Sequence, residues 1–240
     1  MSNPFFTFKR FTVYHDKCAM KVGTDGVLLG AWVDTKGSGK IIDVGSGTGL
    51  IAIMVAQRSE AHIDAVEIEA DAYKQATGNV EACPWNDRIE VYNYSFQYFA
   101  SIINTRYDLV VSNPPYFRNS LKPSADNRSL ARHDERLGYE SLLRSSKFIL
   151  APQGRLAIII PAKETERFTD LAYLEDLYPL RLTWVRPNPL KDYSRCLMEF
   201  ARNKNQACSI NEILIKHVDS ESYTEDYIAL TREYYLRFEV

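Results

Sequence analysis

Residues 40–57 constrain this chain more than any other stretch. Lys40-Ile41-Ile42-Asp43-Val44 is a short apolar run rich in β-branched residues, which reads as a buried strand. Gly45-Ser46-Gly47-Thr48-Gly49 stops it, and Leu50 to Gln57 begins a helix at once. Strand, glycine turn and helix together form the nucleotide-cradling unit of a doubly wound α/β sheet. The glycines let the backbone approach a ligand closely where a Cβ would collide. His62-Ile63-Asp64-Ala65-Val66-Glu67 reads as the second strand and ends in an acid, Glu67. An acid about twenty residues beyond the glycines takes a ribose hydroxyl pair.

The remaining pattern extends the same alternation. Arg88-Ile89-Glu90-Val91-Tyr92-Asn93 reads as a third strand, with Asn93 and Ser95 at its carboxyl end; Tyr107 to Ser112 is the fourth and Arg155 to Ile160 the fifth. Arg181–Val185, Cys196–Arg202 and Glu212–His217 are three late strands. Helices are expected from Thr24 or Asp25 to Trp32, from Ala70 to Ala82 with Ala72, Ala76, Val80 and Tyr73 inward, from Tyr139 to Leu150 and from Lys163 to about Leu174. Thr24 or Asp25 caps the first of these, and Thr224-Glu225-Asp226 caps a final helix through about Tyr234. Phe8 to Tyr14 is aromatic and β-branched enough for a short strand or hairpin. The 240 residues fit one domain, 1–240, with a β-rich arm over 1–22 and a polar segment over 117–137 that has no periodicity.

Totals exclude several classes. An apolar fraction of 45% and a charged fraction of 25% are ordinary for a globular chain. No stretch has the apolar length of a membrane span, and Met1-Ser2-Asn3-Pro4-Phe5 lacks a signal-peptide pattern, so a cytoplasmic location is expected. Cys18, Cys83, Cys196 and Cys208 are scattered, as are His15, His62, His133 and His217, so neither a disulfide framework nor a metal site is expected. A net charge of −2 is wrong for a globally basic nucleic-acid binder. The basic residues are nonetheless uneven: Arg118, Lys122, Arg128, Arg132 and Arg136 gather in one segment, and Arg181, Arg186, Lys191, Arg195, Arg202 and Lys204 in another. Such local surface attracts phosphates, although solvated loops account for it as readily.

The fourth strand ends in Asn113-Pro114-Pro115-Tyr116. Two prolines stop a strand because neither donates a ladder hydrogen bond, and each residue before a proline is driven to extended backbone. Asn113 and Pro114 are thus held at the edge where open α/β sheets put ligands, offering a side-chain amide and a backbone carbonyl. Two acceptors beside an aromatic ring suit a planar substrate with an NH2 group. A strand that merely ends in a Pro-Pro turn explains the tetrapeptide equally well when it is taken alone.

Gly45-x-Gly47-x-Gly49 departs from the dinucleotide pattern, because position 50 is leucine where a third spaced glycine is expected. Asp43 is also unwelcome beside a pyrophosphate. A ligand with an ammonium group tolerates it. S-adenosylmethionine has a ribose, an adenine, an ammonium and a carboxylate, which map onto Glu67, the third-strand end, Asp43 with the glycine turn, and the Thr24 helix start.

Asp43 to Gly49, Glu67 and Asn113 to Tyr116, in this order and spacing, resemble class I S-adenosylmethionine-dependent methyltransferases that methylate amino groups. Phe11-Thr12-Val13 and the block from His15 to Trp32 are more specifically similar to the bacterial tRNA1(Val) adenine-37 N6-methyltransferase family. The resemblance implies a Rossmann-like, mostly parallel seven-stranded sheet with helices on both faces. It implies S-adenosyl-L-methionine held by Lys21, Gly23, Thr24, Asp43, Gly45, Gly47, Gly49, Glu67, Ile68, Asn93, Ser95 and Asn113. It makes Asn113, Pro114 and Tyr116 catalytic, with tRNA held by Phe117, Arg118, Lys122, Arg128, Arg132 and His133. Arg186, Lys191 and Arg195 are further candidates for RNA. No metal is implied, and a monomer is expected. The family's third-strand acid is missing here, where Asn93 and Ser95 stand. Glutamine N5-methylation of a release factor uses the same tetrapeptide chemistry, and a nicotinamide-dependent oxidoreductase is the alternative from another class.

Overall fold

The computed structural model describes residues 3–18, 20–115, 137–218 and 222–238. A two-stranded antiparallel hairpin, β1 (Phe5–Thr7) and β2 (Thr12–Tyr14), precedes helix α1 (Thr24–Trp32). The central elements alternate: β3 (Lys40–Val44), α2 (Leu50–Ala56), β4 (His62–Val66), α3 (Ala70–Glu81), β5 (Ile89–Tyr92), α4 (Phe96–Ile102) and β6 (Tyr107–Ser112). Then come α5 (Tyr139–Ile149), β7 (Leu150–Pro161), α6 (Thr165–Leu174), β8 (Tyr178–Arg186), β9 (Arg195–Ala201), β10 (Ser209–Leu214) and α7 (Glu225–Thr231).

Strands β3 to β10 form one sheet in the order β10-β8-β9-β7-β6-β3-β4-β5. Every neighbouring pair is parallel except β7 with β9 and β8 with β9. The order reverses at β3, which has β4 on one side and β6 on the other. Val44 stands opposite both Val66 and Ser112, so three strands end level with one another. That is the switch point where a doubly wound sheet opens a crevice.

The sheet has eight strands, one more than the seven implied by the resemblance. All eight segments read as strands from their pattern are present. The extra length comes from the late strands, where β10 begins at Ser209 and runs parallel to β8. α4 was not expected. Only the short link Asn93-Tyr94-Ser95 separates it from β5, and Phe96, Phe99 and Ala100 bury its inner face.

Apolar side chains cover both faces. One cluster joins α1, α2, α7 and the hairpin to the sheet through Val27, Leu28, Ile53, Met54, Tyr227 and Tyr234. The other joins α4, α5 and α6 through Phe96, Phe99, Leu142, Leu143 and Phe168. The aromatic arm belongs to the first: Phe8 stacks on Phe11 at 4.6 Å and on Tyr235 at 6.0 Å, and Phe11 meets Trp85 edge-on at 6.1 Å. Its role is packing, since burying such rings contributes about 1.5–3 kcal/mol each.

One charged cluster is buried in this framework. Glu199 on β9, 2% exposed, accepts from Arg155 at 2.7 Å and from Arg181 at 3.1 Å. The same guanidinium groups donate to the Asp34 carbonyl at 2.9 Å and the Trp32 carbonyl at 3.3 Å, at the end of α1. Arg181 also lies 3.7 Å over the Trp32 ring. Cations there complement the negative end of the helix dipole. Arg181 is therefore part of the interior and not of a phosphate-attracting surface.

Candidate active site at the carboxyl edge

The glycine turn is built by hydrogen bonds between its own backbone and the neighbouring strand. Gly45 and Ser46 both donate to the Val66 carbonyl, at 2.9 and 3.1 Å, and Gly49 donates to the Ser46 carbonyl at 2.8 Å. Gly47 (φ +55°) and Gly49 (φ +78°) take a left-handed backbone that disfavours any side chain. A Cβ at Gly47 would have nothing within 4 Å, so the turn faces open space. One at Gly49 would touch Ala76, which places α3 against the turn's end.

Glu67 closes this unit. Its carboxylate accepts the Gly47 N–H at 2.8 Å and the Glu69 N–H at 2.9 Å, while remaining almost buried. The Asn93 side chain donates to the carbonyls of Glu67 at 2.8 Å and Ile68 at 3.1 Å, tying the end of β5 to the end of β4. Ser95 was expected to contact a cofactor. Its hydroxyl caps α4, accepting the Tyr98 N–H at 3.3 Å.

Asp43 is 1% exposed. One carboxylate oxygen accepts the Ala52 N–H at 3.0 Å, satisfying a donor of the first turn of α2. The other, Oδ1, and the Ser46 hydroxyl are buried with no hydrogen-bond partner among the described residues. Burial pushes the Asp43 carboxyl up to about 7; the Ala52 N–H opposes the shift and the nearby Glu67 charge adds to it. A buried acceptor without a partner is costly unless a donor arrives. A cationic or donor-bearing ligand group fits this turn.

Helix α1 reaches the same place. A Cβ on Gly26 would come within 3.0 Å of Leu50 Cδ2, so the first turns of α1 and α2 lie against each other. Neither Thr24 nor Asp25 caps α1. Gly23 is the N-cap, without a side-chain bond, and Thr24 is the first helical residue. The Asp25 carboxylate accepts from Arg195 at 2.8 Å, which ties Arg195 to α1. Arg186 is likewise engaged, 3.3 Å from Glu212 and 4.4 Å over the Tyr193 ring.

Two residues of α3 carry the connection that sequence reasoning missed. Asn79 donates to the carbonyls of Tyr14 at 2.8 Å and Thr48 at 2.9 Å, and accepts the Tyr14 N–H at 2.9 Å. Gln75 accepts the Lys17 N–H at 2.8 Å. His15 adds a bond between Nε2 and the Asn3 carbonyl at 2.9 Å and accepts from Val22 at 3.4 Å. The arm that leads to Lys21 and Gly23 is thereby fastened to the glycine turn. Gln75 and Asn79 are buried where Ala72 and Tyr73 had been expected to point inward, and these are only half-buried. Two amides four residues apart beside Ala76 and Val80 were the available signal.

Asn113 and Pro114 follow β6 directly. The Ser112 hydroxyl donates to the Val44 carbonyl at 2.9 Å, locking the two strand ends together. Gly45 and Asn113 are the residues that follow this last pair on the two strands. The expected Asp43, Gly45, Gly47, Gly49, Glu67, Ile68, Asn93 and Asn113 converge on one edge. Tyr116, Phe117, Arg118, Lys122, Arg128, Arg132 and His133 lie outside the described residues. Among the described residues no cluster of three metal-ligating side chains occurs.

Comparison with known proteins bears on this edge. The family model for the methyltransferase small domain matches residues 18–175. The chain is 46% identical over 238 residues to a Bacteroides fragilis protein named tRNA1(Val) (adenine(37)-N6)-methyltransferase, covering 99% of this chain and all of the relative. Relatives with the same name from Bacteroides thetaiotaomicron and Trichodesmium erythraeum are 48% and 44% identical, over 98% and 97% of this chain and 99% and 98% of theirs. In fold it matches an Agrobacterium tumefaciens protein described as a predicted O-methyltransferase, with TM-score 0.70, 20% identity, and coverage of 88% of this chain and 96% of that one. A TehB-like SAM-dependent methyltransferase from Corynebacterium glutamicum matches with TM-score 0.51, 16% identity, and coverage of 75% and 89%.

Proposed function

The chain belongs to the family of bacterial tRNA1(Val) (adenine(37)-N6)-methyltransferases, and we propose that its carboxyl edge holds S-adenosyl-L-methionine beside the exocyclic amine of adenine 37 in that tRNA. The observation that carries this reading is the level ending of β3, β4 and β6, which puts the glycine turn, Glu67 and Asn113 around one crevice. On this reading residues 1–240 form one methyltransferase domain, with the arm over 1–22 and a substrate-facing loop over 117–137.

Asp43 and the turn from Gly45 to Gly49 take the amino-acid end of the cofactor, with Lys21, Gly23 and Thr24 closing over it. Glu67 takes the ribose hydroxyls with the acceptor capacity left by its two backbone bonds. Ile68 and Asn93 flank the adenine. When bound, S-adenosylmethionine supplies an electrophilic methyl group on a sulfonium. The adenine N6 amine is a weak nucleophile because its lone pair is delocalised into the ring. The Asn113 side-chain oxygen and the Pro114 carbonyl accept its two N–H groups, turn the lone pair toward the methyl carbon and favour the positive charge that develops on nitrogen. Nitrogen then gives up a proton to solvent. Tyr116 stacks on the base, a contact that contributes about 1–3 kcal/mol.

Phe117, Arg118, Lys122, Arg128, Arg132 and His133 hold the RNA around the extruded base, which costs less to extrude from an anticodon loop than from a duplex. No described helix is long and apolar enough to cross a membrane. Work on tRNA fits a cytoplasmic enzyme. The test is direct: purified protein with labelled S-adenosylmethionine should methylate a tRNA1(Val) transcript and not its A37G counterpart. Incorporation into a release factor instead, or into neither, overturns the reading.

A further inference from the structure

We propose that Tyr94 and Tyr98 form a stacking platform for an unpaired base of the substrate RNA other than the one methylated. This rests on the tRNA reading above. The two residues are 42% and 52% exposed, and their ring centroids are 5.3 Å apart with planes at 51°. They are not part of the core. The neighbouring Tyr92 and Phe99 turn inward and pack on each other at 5.0 Å.

The platform is fixed to the site. Asn93 holds the turn before Tyr94 to Glu67 and Ile68. Ser95 caps α4 at the Tyr98 N–H, and the Ser101 hydroxyl donates to the Tyr98 carbonyl at 2.7 Å. Tyr98 is thus presented on a capped helical turn at the carboxyl end of β5. The strands β5, β4, β3 and β6 are adjacent in that order, and at about 4.8 Å per step the platform stands about 14 Å from the end of β6. A short stretch of unstacked loop covers that span when its neighbouring base lies against Asn113. Charge selects which part of the nucleotide docks. Glu69 is exposed beside the turn and disfavours phosphate there, whereas a base presents an uncharged π-face.

The test compares Tyr94→Ala, Tyr98→Ala and Tyr98→Phe with the unaltered protein, measuring KM for tRNA1(Val), kcat and S-adenosylmethionine affinity. Loss of one stacked base raises KM for tRNA about 5- to 150-fold in Tyr98→Ala. Cofactor affinity and kcat should stay within about twofold, and Tyr98→Phe, which keeps the ring, should restore KM. A fall in cofactor affinity with unchanged tRNA KM overturns the proposal and assigns the pair to the cofactor's adenine. Variants indistinguishable from an active parent overturn it as well. A parent that methylates no tRNA overturns the functional reading and this proposal with it, a result separable from the other two.

Discussion

The Glu67 carboxylate accepts the backbone N–H of Gly47 at 2.8 Å. The acid proposed to grip the ribose thus also sets the shape of the turn proposed to grip the rest of the cofactor. Both functions fail together in Glu67→Ala. Bonds to a charged acceptor contribute about 1.5–3 kcal/mol each, so S-adenosylmethionine affinity should fall at least about tenfold, as calorimetry would show. Glu67→Gln keeps one acceptor oxygen and should lose less.

Asn113 directly follows β6 at the same edge, and its proposed contacts are to the substrate amine. In Asn113→Ala, cofactor affinity should be nearly unchanged while single-turnover methyl transfer drops about 10²–10³-fold, the usual cost of removing one positioned polar group. Near-normal turnover would exclude the amide as the group that orients the amine.

The Asp43 carboxyl, pushed up to about 7 by burial, makes cofactor binding depend on pH. A cationic ligand group beside it favours the carboxylate and lowers its pKa in the complex. Binding below pH 7 should therefore release a proton, and affinity should rise with pH and level off above about 7. Calorimetry in buffers of different ionisation enthalpy measures that proton, and Asp43→Asn should abolish it. The ligand-free protein has the opposite slope. Its raised pKa means that the folded state holds the proton more tightly, so this contribution to stability is present near pH 4 and lost as pH rises through about 7.

Glu199 neutralises Arg155 and Arg181 in the interior. Truncating it to alanine removes the buried carboxylate that both guanidinium groups share, and breaking such a buried pair costs about 3–5 kcal/mol. Chemical denaturation should show that loss in Glu199→Ala, with cofactor affinity intact wherever the protein remains folded.

Much of this was legible in the residues. Buried strands such as Lys40–Val44 and Tyr107–Ser112 are short apolar runs bounded by glycine or proline, so their ends were fixed by chemistry that acts within a few residues. The site's glycines, Glu67 and Asn113 could be placed because each stands at a strand's carboxyl end. What failed was of two kinds. α4 starts so soon after β5 that its seven residues gave no clear period, and Ser95, read as the end of the third strand, is the cap of that helix. The pairing of Asp25 with Arg195, and of Asn79 with Tyr14, joins positions far apart in the chain. Charge and polarity announce that such groups need partners, but only the fold says which partners they have.

The fastening of the arm has a consequence for biosynthesis. Asn79 grips Tyr14, and the Lys9 N–H donates to the carbonyl of Tyr234 at 2.8 Å. A ribosome makes residue 9 long before residue 234, at about 5–20 residues per second. The bond from Lys9 to Tyr234 can therefore form no sooner than about ten seconds after Lys9 is made. Until then Phe6 and Phe8 lack the Tyr235 ring that packs on them in the folded protein. The arm that is fastened to the glycine turn thus completes its packing only once the chain around residue 235 has been made.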